Sequence, residues 1–123
     1  MYKETAEKIE EVIANYFEGI YEGDIPKLEA AFDKQLIIYG DMNTGTPYCK
    51  PVQEYLEGVK TRKSPRELGE AFAMNIINIE ILGKVAMVKA HMPMLGYNYY
   101  DFLSLTTIGG NWKIVNKLFA HVE

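Results

Sequence analysis

The feature that most constrains the fold is a predicted β-hairpin over residues 97–121, with the sequence YNYYDFLSLTTIGGNWKIVNKLFAH. Gly109 and Gly110 supply the positive φ angles that a tight turn needs, and the aromatic and β-branched flanks favour strands. Side chains alternate along a strand, so one face of the first strand carries Tyr97, Tyr99, Asp101, Leu103 and Leu105. Asp101 is therefore a single carboxylate on an apolar stripe.

The length of the turn decides which side chains of the second strand lie beside Asp101. A two-residue turn pairs Asp101 with Leu118, puts Asn116 on the same face and directs Lys117 to the other face. A three-residue loop would instead place Lys117 and Phe119 beside Asp101. We expect the two-residue turn, because it separates charged from apolar side chains more cleanly, although a bulge would reverse the assignment.

Composition limits the class of protein. A chain of 123 residues with 48% hydrophobic and 24% charged residues is typical of one globular domain, residues 1–123. The net charge of −4 without a basic block disfavours nucleic acid and anionic membranes as partners. The single cysteine, Cys49, excludes an internal disulfide and indicates a reducing, cytoplasmic location. We find no apolar run of membrane-spanning length and no signal peptide.

The first half of the chain is predicted to be mainly helical. Apolar residues recur every three or four positions over residues 4–21, which predicts a helix that stops at Gly23. Asp24 is the expected N-cap of a short second helix, and Pro51 opens a third. The capping-box sequence at residues 64–67 predicts a further helical turn.

The predicted strands lie mainly in the second half of the chain, after one early candidate in the first half. Residues 35–39 form an early strand candidate, and residues 40–50 a loop. Residues 71–81 and 85–92 are the next strands, with a break at residues 93–96 before the hairpin. This order predicts an α+β fold: three N-terminal helices packed on a curved antiparallel sheet, as a half-cone with an internal cavity.

Several segments resemble the nuclear-transport-factor-2-like superfamily, which has a cystatin-like cone fold. They are YFEGIYEGD at residues 16–24, the short helix to Phe32, DFLSL at 101–105 and GNWKIVNK at 110–117. Within the superfamily, the chain resembles the putative lumazine-binding and SnoaL-like branch. The superfamily includes polyketide cyclases, dehydratases, ketosteroid isomerases, binding proteins and dimerisation modules, so the resemblance implies the fold without fixing one function.

Ketosteroid isomerases offer a comparison residue by residue. They use a tyrosine of the first helix and a protonated aspartate of a sheet strand as an oxyanion hole, and a second aspartate as base. The resemblance places Tyr16 at the tyrosine and Asp101 at the strand aspartate. The base position falls on Gly40, with Asp41 next to it. A one-residue offset in a strand turns a side chain to the opposite face, so Asp41 serves as base only if the loop absorbs the offset.

Asp101 and Tyr16 have a functional and a structural interpretation. Burial disfavours a charged carboxylate, and a neutral Asp101 could donate a hydrogen bond or a proton to a ligand. A phenol beside it could hold a developing enolate oxygen. Alternatively, Asp101 is a structural residue bonded to a helix end, to Tyr16 or to Lys117, and Tyr16 is a core residue.

Other side chains are expected to line the cavity. Asn116 could bond a ligand carbonyl, and His91, near a strand end, could be a base or a ligand contact. The apolar candidates are Phe32, Tyr39, Met74, Tyr99 and Trp112. Alternatively, these side chains fill the cone as ordinary core. His91 and His121 do not form metal-binding spacing, and we find no cofactor motif, so neither a metal nor a cofactor is predicted.

The outer face of the hairpin carries further apolar residues, which predicts a homodimer through the sheet face. The members of this expected outer set are Asn98, Tyr100, Phe102, Ser104, Thr106, Ile108, Val115 and Phe119. The leading hypothesis is a cone that binds a small apolar molecule, with isomerase, cyclase or dehydratase chemistry as an option. The alternative is a non-catalytic homodimerisation or scaffold module with a filled cone.

Overall fold

A computed structural model describes all residues, 1–123, and contains three helices. They are α1 (Tyr2–Glu22), α2 (Ile25–Ala31) and α3 (Val52–Thr61). The helix-stop prediction is confirmed, because α1 ends at Gly23 with φ 69° and the backbone N–H of Gly23 donates to Gly19 O. None of the helices is long and apolar enough to cross a membrane.

Both predicted caps are present. Asp24 caps α2, since its side chain accepts a hydrogen bond from the backbone N–H of Lys27 at 3.2 Å. In the capping box, Ser64 Oγ accepts from the backbone N–H of Glu67 at 3.1 Å. The backbone N–H of Leu68 donates to Ser64 O at 3.1 Å, so residues 65–69 contain the predicted helical turn, which does not continue as a helix.

Six strands form one curved sheet. They are β1 (Phe32–Asp41), β2 (Tyr48–Pro51), β3 (Asn75–Leu82), β4 (Val85–Met94), β5 (Tyr97–Ile108) and β6 (Asn111–His121). Their order is β2-β1-β6-β5-β4-β3, and all neighbours are antiparallel except β1 and β6, which are parallel. The α+β half-cone is confirmed.

The core lies between the three helices and the inner face of the sheet. The helices contribute the fully buried Ile9, Ile13 and Ile20. The sheet contributes alternate residues of each strand, such as Val88 and Leu103. This alternation places one face of β4 and β5 against the helices and leaves the other exposed.

Three strand predictions differ from the structure in detail. The predicted loop 40–50 contains the end of β1 and the start of β2, which pairs with β1. Strand β4 continues through Pro93 to Met94, past the predicted break. Strand β3 begins only at Asn75 rather than at residue 71, and its register with β4 shifts between Ile76 and Asn78.

The hairpin turn is the predicted two-residue turn, but the expected pairing is wrong. Ile108 pairs with Asn111 and Leu105 with Ile114, and the register then shifts between Ser104 and Leu105. An extra residue on β6, a β-bulge, changes every later pairing. Asp101 therefore pairs with Phe119 rather than with Leu118.

Candidate functional site

A pocket lies between the inner face of the sheet and the chain segment that follows α3. The space open to the centres of water molecules is about 90 Å³, which is room for several waters or part of a small ligand. Its lining residues are Met42, Tyr48, Tyr55, Arg62, Met92, Met94, Tyr99, Asp101, Lys117 and Phe119. Aromatic rings and methionines thus surround three charged groups.

Asp101 and Lys117 form a buried polar network with Tyr16 and Tyr55. The Tyr16 hydroxyl donates to Asp101 Oδ2 at 2.5 Å. Lys117 Nζ donates to the hydroxyl oxygens of Tyr16 at 2.6 Å and Tyr55 at 3.1 Å. Nζ also lies 3.8 Å from Asp101 Oδ2, in a salt bridge. Tyr16, Asp101 and Lys117 are 0%, 1% and 4% exposed, so protein groups replace the water that would otherwise hydrate the two charges.

Four different elements bring these groups together. Tyr16 lies on the buried stripe of α1, and Tyr55 on the buried side of α3. Asp101 points inward from β5. The bulge on β6 turns Lys117 to the same side, where it pairs with Leu103. The network therefore depends on the irregular register of the hairpin.

Aromatic rings provide further stabilisation for the ammonium group of Lys117. Nζ lies 4.9 Å from the ring centroid of Tyr55, 5.0 Å from that of Tyr16 and 5.5 Å from that of Phe119. Ring faces at these distances attract a cation, and most strongly when water is excluded.

Tyr16, Tyr48 and Tyr99 are held in the neutral form. Burial, followed by the charge of Asp101, raises the pKa of Tyr16 well above its usual value. Burial also raises the pKa of Tyr48 and that of Tyr99 to about 12 each. Each hydroxyl therefore keeps its proton at neutral pH and can both donate and accept hydrogen bonds.

Arg62 is the second cation of the pocket. It is partly buried and directly follows α3, where its backbone N–H donates to Gly58 O at 3.2 Å. Its side-chain atoms Nε and Nη2 are buried without a hydrogen-bond partner. No group of three or more His, Cys, Asp or Glu side chains is placed to hold a metal ion.

Six of the ten residues predicted from the sequence lie on the inner side of the molecule. Asp101 and Tyr99 line the pocket, and Tyr16 lies behind Asp101. Phe32 packs against Tyr16, with ring centroids 5.5 Å apart, and does not reach the pocket. The remaining two, Met74 and Trp112, pack in or against the core.

The other four lie on the outer face. The inward position expected for Asn116 is wrong, because Asn116 pairs with the outward-facing Ser104 beyond the bulge. His91 stacks on Tyr100, with ring centroids 4.5 Å apart, on the outer side of β4. Tyr39 and Asp41 line an open depression on the same side of the sheet.

The position of a ketosteroid-isomerase base is filled by another side chain. Gly40 pairs with Phe119, and a Cβ atom at residue 40 would overlap the Phe119 ring. Asp41 is exposed, and its side chain accepts from the backbone N–H of Asn43 at 2.9 Å. The loop has not absorbed the one-residue offset, so Asp41 does not join Tyr16 and Asp101.

Sequence reasoning missed Lys117, Tyr55 and Arg62 as pocket residues. Lys117 was expected on the outer face, or at most as a structural partner of Asp101. Tyr55 lies three residues after Val52 and four before Val59, and this helical spacing of apolar residues is a usable signal. Arg62 had no signal, because only the tertiary contact between α3 and the sheet brings it to the pocket.

Comparisons with known proteins agree with this architecture. A family model described as putative lumazine-binding matches residues 4–120. An NTF2-like protein of unknown function from Shewanella baltica OS155 has a TM-score of 0.88 at 23% identity, with 100% of this chain and 98% of that chain covered. One from Silicibacter pomeroyi DSS-3 has a TM-score of 0.85 at 19% identity, with 99% of each chain covered.

A structure of lower identity is also similar over most of its length. A cystatin-like fold protein from Burkholderia xenovorans LB400 has a TM-score of 0.67 at 12% identity, with 94% of this chain and 89% of that chain covered. No curated protein matches the chain. At these identities the structural similarities show the fold alone, whereas the family model spans nearly the whole sequence. The chain therefore has the fold of NTF2-like proteins and belongs to the putative lumazine-binding family.

Proposed function

We propose that the protein binds a small, largely apolar molecule in the pocket, with Asp101 and Lys117 as polar contacts. The observation that carries this proposal is a cavity of about 90 Å³ lined mainly by aromatic and methionine side chains around a few convergent polar groups. Small-molecule sites commonly have this composition. The family description supports a small-molecule ligand, and a flat heterocycle such as lumazine is one candidate.

Binding has more support than isomerase-type proton transfer. Tyr16 and Asp101 are adjacent, as in the oxyanion hole that the resemblance implies. However, Lys117 bonds to Tyr16, and the Phe119 ring occupies the base position beside Gly40. A general base must reach the proton that it removes. Acid–base chemistry in this pocket would therefore have to use Lys117 or Tyr55 in place of a second aspartate.

A thermal-shift titration with lumazine, riboflavin and 2-naphthol tests the binding proposal. A ligand that binds only the native state raises the melting temperature as its concentration increases. Met42→Trp places a large ring among the residues that line the pocket, and we expect it to abolish the shift. Leu82→Trp adds the same ring at an exposed strand end and serves as the control.

The thermal-shift results that support the binding proposal differ from those that contradict it. The proposal predicts a concentration-dependent shift for at least one compound in the wild type and in Leu82→Trp, but none in Met42→Trp. A shift that persists in Met42→Trp would place the binding elsewhere. No shift with any of the three compounds would contradict a pocket for ligands of this type.

A homodimer through the outer sheet face is a second, compatible proposal. Tyr39, Met87, Phe102 and Leu118 are large apolar residues that remain exposed on this face. A contiguous patch of this kind commonly meets a partner, and a twofold pairing of copies is the simplest closure. The open pocket argues against the filled cone of the scaffold alternative. A cytoplasmic location is proposed on the single, exposed thiol of Cys49.

A further inference from the structure

We propose that the ligand carries a carboxylate, and that Arg62 binds this group through one side of its guanidinium. This inference rests on the proposed function, because it concerns the occupant of the same pocket. It adds the chemical class of the ligand: an apolar or aromatic carboxylic acid rather than a neutral apolar molecule.

The hydrogen-bonding state of Arg62 is the first observation. Its Nε and Nη2 atoms are both buried and both lack a partner. Nε–H and the nearer N–H of Nη2 point in parallel from one edge of the guanidinium. This pair of donors matches the two oxygens of a carboxylate in a bidentate contact. A buried donor without a partner is costly, so a small rotation of the side chain that turns this edge into the pocket would let a carboxylate satisfy both atoms.

The charge balance of the pocket is the second observation. Asp101 and Lys117 form a salt bridge with each other, and Lys117 also bonds to two tyrosine hydroxyls. Arg62 forms no salt bridge. The pocket therefore holds two cations and one carboxylate, and the uncompensated positive charge is that of Arg62. An anionic group on the ligand would balance this charge where surrounding protein excludes part of the solvent.

The rest of the lining suits an apolar or aromatic ligand body. The rings of Tyr48 and Tyr99 pack edge-on against Phe119, with centroids 5.1 and 5.6 Å apart. Met42 and Met94 add adaptable apolar surface to the same lining. Both tyrosine hydroxyls stay protonated, so they can donate to a carboxylate oxygen or a ring carbonyl without charge repulsion.

Isothermal titration calorimetry with 2-naphthoate and its uncharged amide, 2-naphthamide, tests the inference. The two probes share one ring system and differ in the charged group. We expect the wild-type protein to bind 2-naphthoate about tenfold more tightly than 2-naphthamide, because charge-assisted bidentate contacts are the stronger ones.

Three variants locate the preference on the guanidinium. Arg62→Met removes the charge and should make the two affinities equal by weakening 2-naphthoate alone. Arg62→Lys keeps a charge without the planar fork and should retain only part of the preference. Lys63→Met removes the neighbouring exposed cation and should change neither affinity by more than about twofold.

The possible results distinguish this inference from the proposed function. Equal binding of both probes by the wild type, or a preference that survives in Arg62→Met, overturns the carboxylate assignment and leaves the pocket intact. Failure of both probes to bind overturns the pocket proposal and this inference together. Thermal unfolding of Arg62→Met is the folding control, and we expect an unchanged or higher melting temperature, because a buried cation without partners is removed.

Discussion

At the scale of single residues, the main result is a charge pair inside the apolar core. Lys117 and Asp101 share Tyr16, which accepts a hydrogen bond from one and donates to the other. Such a pair gains little stability over well-packed apolar residues, but the loss of one partner leaves a buried charge without compensation. The network should therefore behave as a unit rather than as separate contacts.

A double-mutant cycle on the charge pair tests this behaviour. Lys117→Met should lower the free energy of unfolding by about 3–5 kcal/mol, because Asp101 loses its charge partner. Asp101→Asn should also destabilise the protein, and the double variant should lose clearly less than the sum of the single variants. Urea unfolding monitored by fluorescence supplies the values.

Lys34→Met, at an exposed position of β1, is the control and should change stability by less than about 0.5 kcal/mol. Additive losses in the Lys117 and Asp101 variants would show that the two groups are not coupled, contrary to their 3.8 Å separation.

The raised pKa of Tyr16 predicts a loss of stability in alkali. Its ordinary pKa is 10.0, and the folded-state pKa lies well above that value. Above pH 10 the unfolded chain releases the phenol proton while the folded chain keeps it. The stability that is present below pH 10 is therefore lost as the pH rises towards the folded-state pKa.

Urea unfolding midpoints measured from pH about 9 to about 11 follow this loss. In Tyr16→Phe the decline should be shallower, although Tyr48 and Tyr99 contribute in the same direction. An equally steep decline in Tyr16→Phe would mean that this phenol does not titrate differently in the two states.

At the scale of the elements, the sequence predicts regular structure well and irregular structure poorly. The apolar spacing of α1, the cap at Asp24 and the turn at Gly109 and Gly110 are local, and the structure has each of them. The bulge on β6 is not encoded by a distinctive residue. It follows from the packing of β6 on both β1 and β5, and it decides the face of every residue beyond Ile114.

Because the bulge is not encoded locally, the sequence predicted some residues of the site correctly and others on the wrong face. Asp101 lies on β5, where side chains alternate without an extra residue, so alternation was enough to place it inward. Asn116 and Lys117 follow the bulge, so alternation gave each of them the wrong face. Arg62 belongs to a segment whose position depends on how α3 packs against the sheet, and no local pattern contains that information.

The close packing of β1 and β6 gives a prediction at this scale. Gly40→Ala should destabilise the protein by about 1–3 kcal/mol, because the added Cβ would overlap the Phe119 ring. Gly58→Ala, in open space within α3, is the matched substitution and should stabilise by about 0.4–1 kcal/mol through the helix preference of alanine. Thermal unfolding of both variants provides the comparison.

Phe119→Leu should relieve much of the Gly40→Ala penalty in the double variant, because the smaller side chain leaves room for the Cβ. A neutral Gly40→Ala substitution would contradict the view that β1 carries a glycine there to admit the ring of Phe119.

At the scale of the whole molecule, the curved sheet creates two different surfaces. The inner face holds the pocket and the charge network, and the outer face exposes apolar side chains of β1, β4, β5 and β6. The order of the elements was enough to predict the half-cone. It was not enough to predict an open pocket, because that depends on whether Met92, Met94 and Tyr99 fill the interior or line a cavity in it.

The proposed dimer gives a prediction for the outer face. Leu118→Glu places a charge in the exposed sheet surface and should shift the protein from dimer to monomer in sedimentation velocity. Leu68→Glu is the control, since Leu68 is 51% exposed, similar to Leu118 at 46%, but lies in the turn segment after α3. A wild-type monomer at all concentrations, or equal effects of both variants, would contradict a sheet-face dimer.

The central claim is that the pocket behind the sheet binds a small molecule, and methionine-methyl NMR tests it most directly. Of the six methionines, Met42, Met92 and Met94 line the pocket, whereas Met87 lies on the outer face and Met1 at the exposed terminus. On titration with lumazine, and separately with 2-naphthoate, we predict saturable shifts of the three pocket methyl signals while those of Met87 and Met1 stay in place. Unchanged pocket signals with both compounds, or shifts centred on Met87, would contradict the claim.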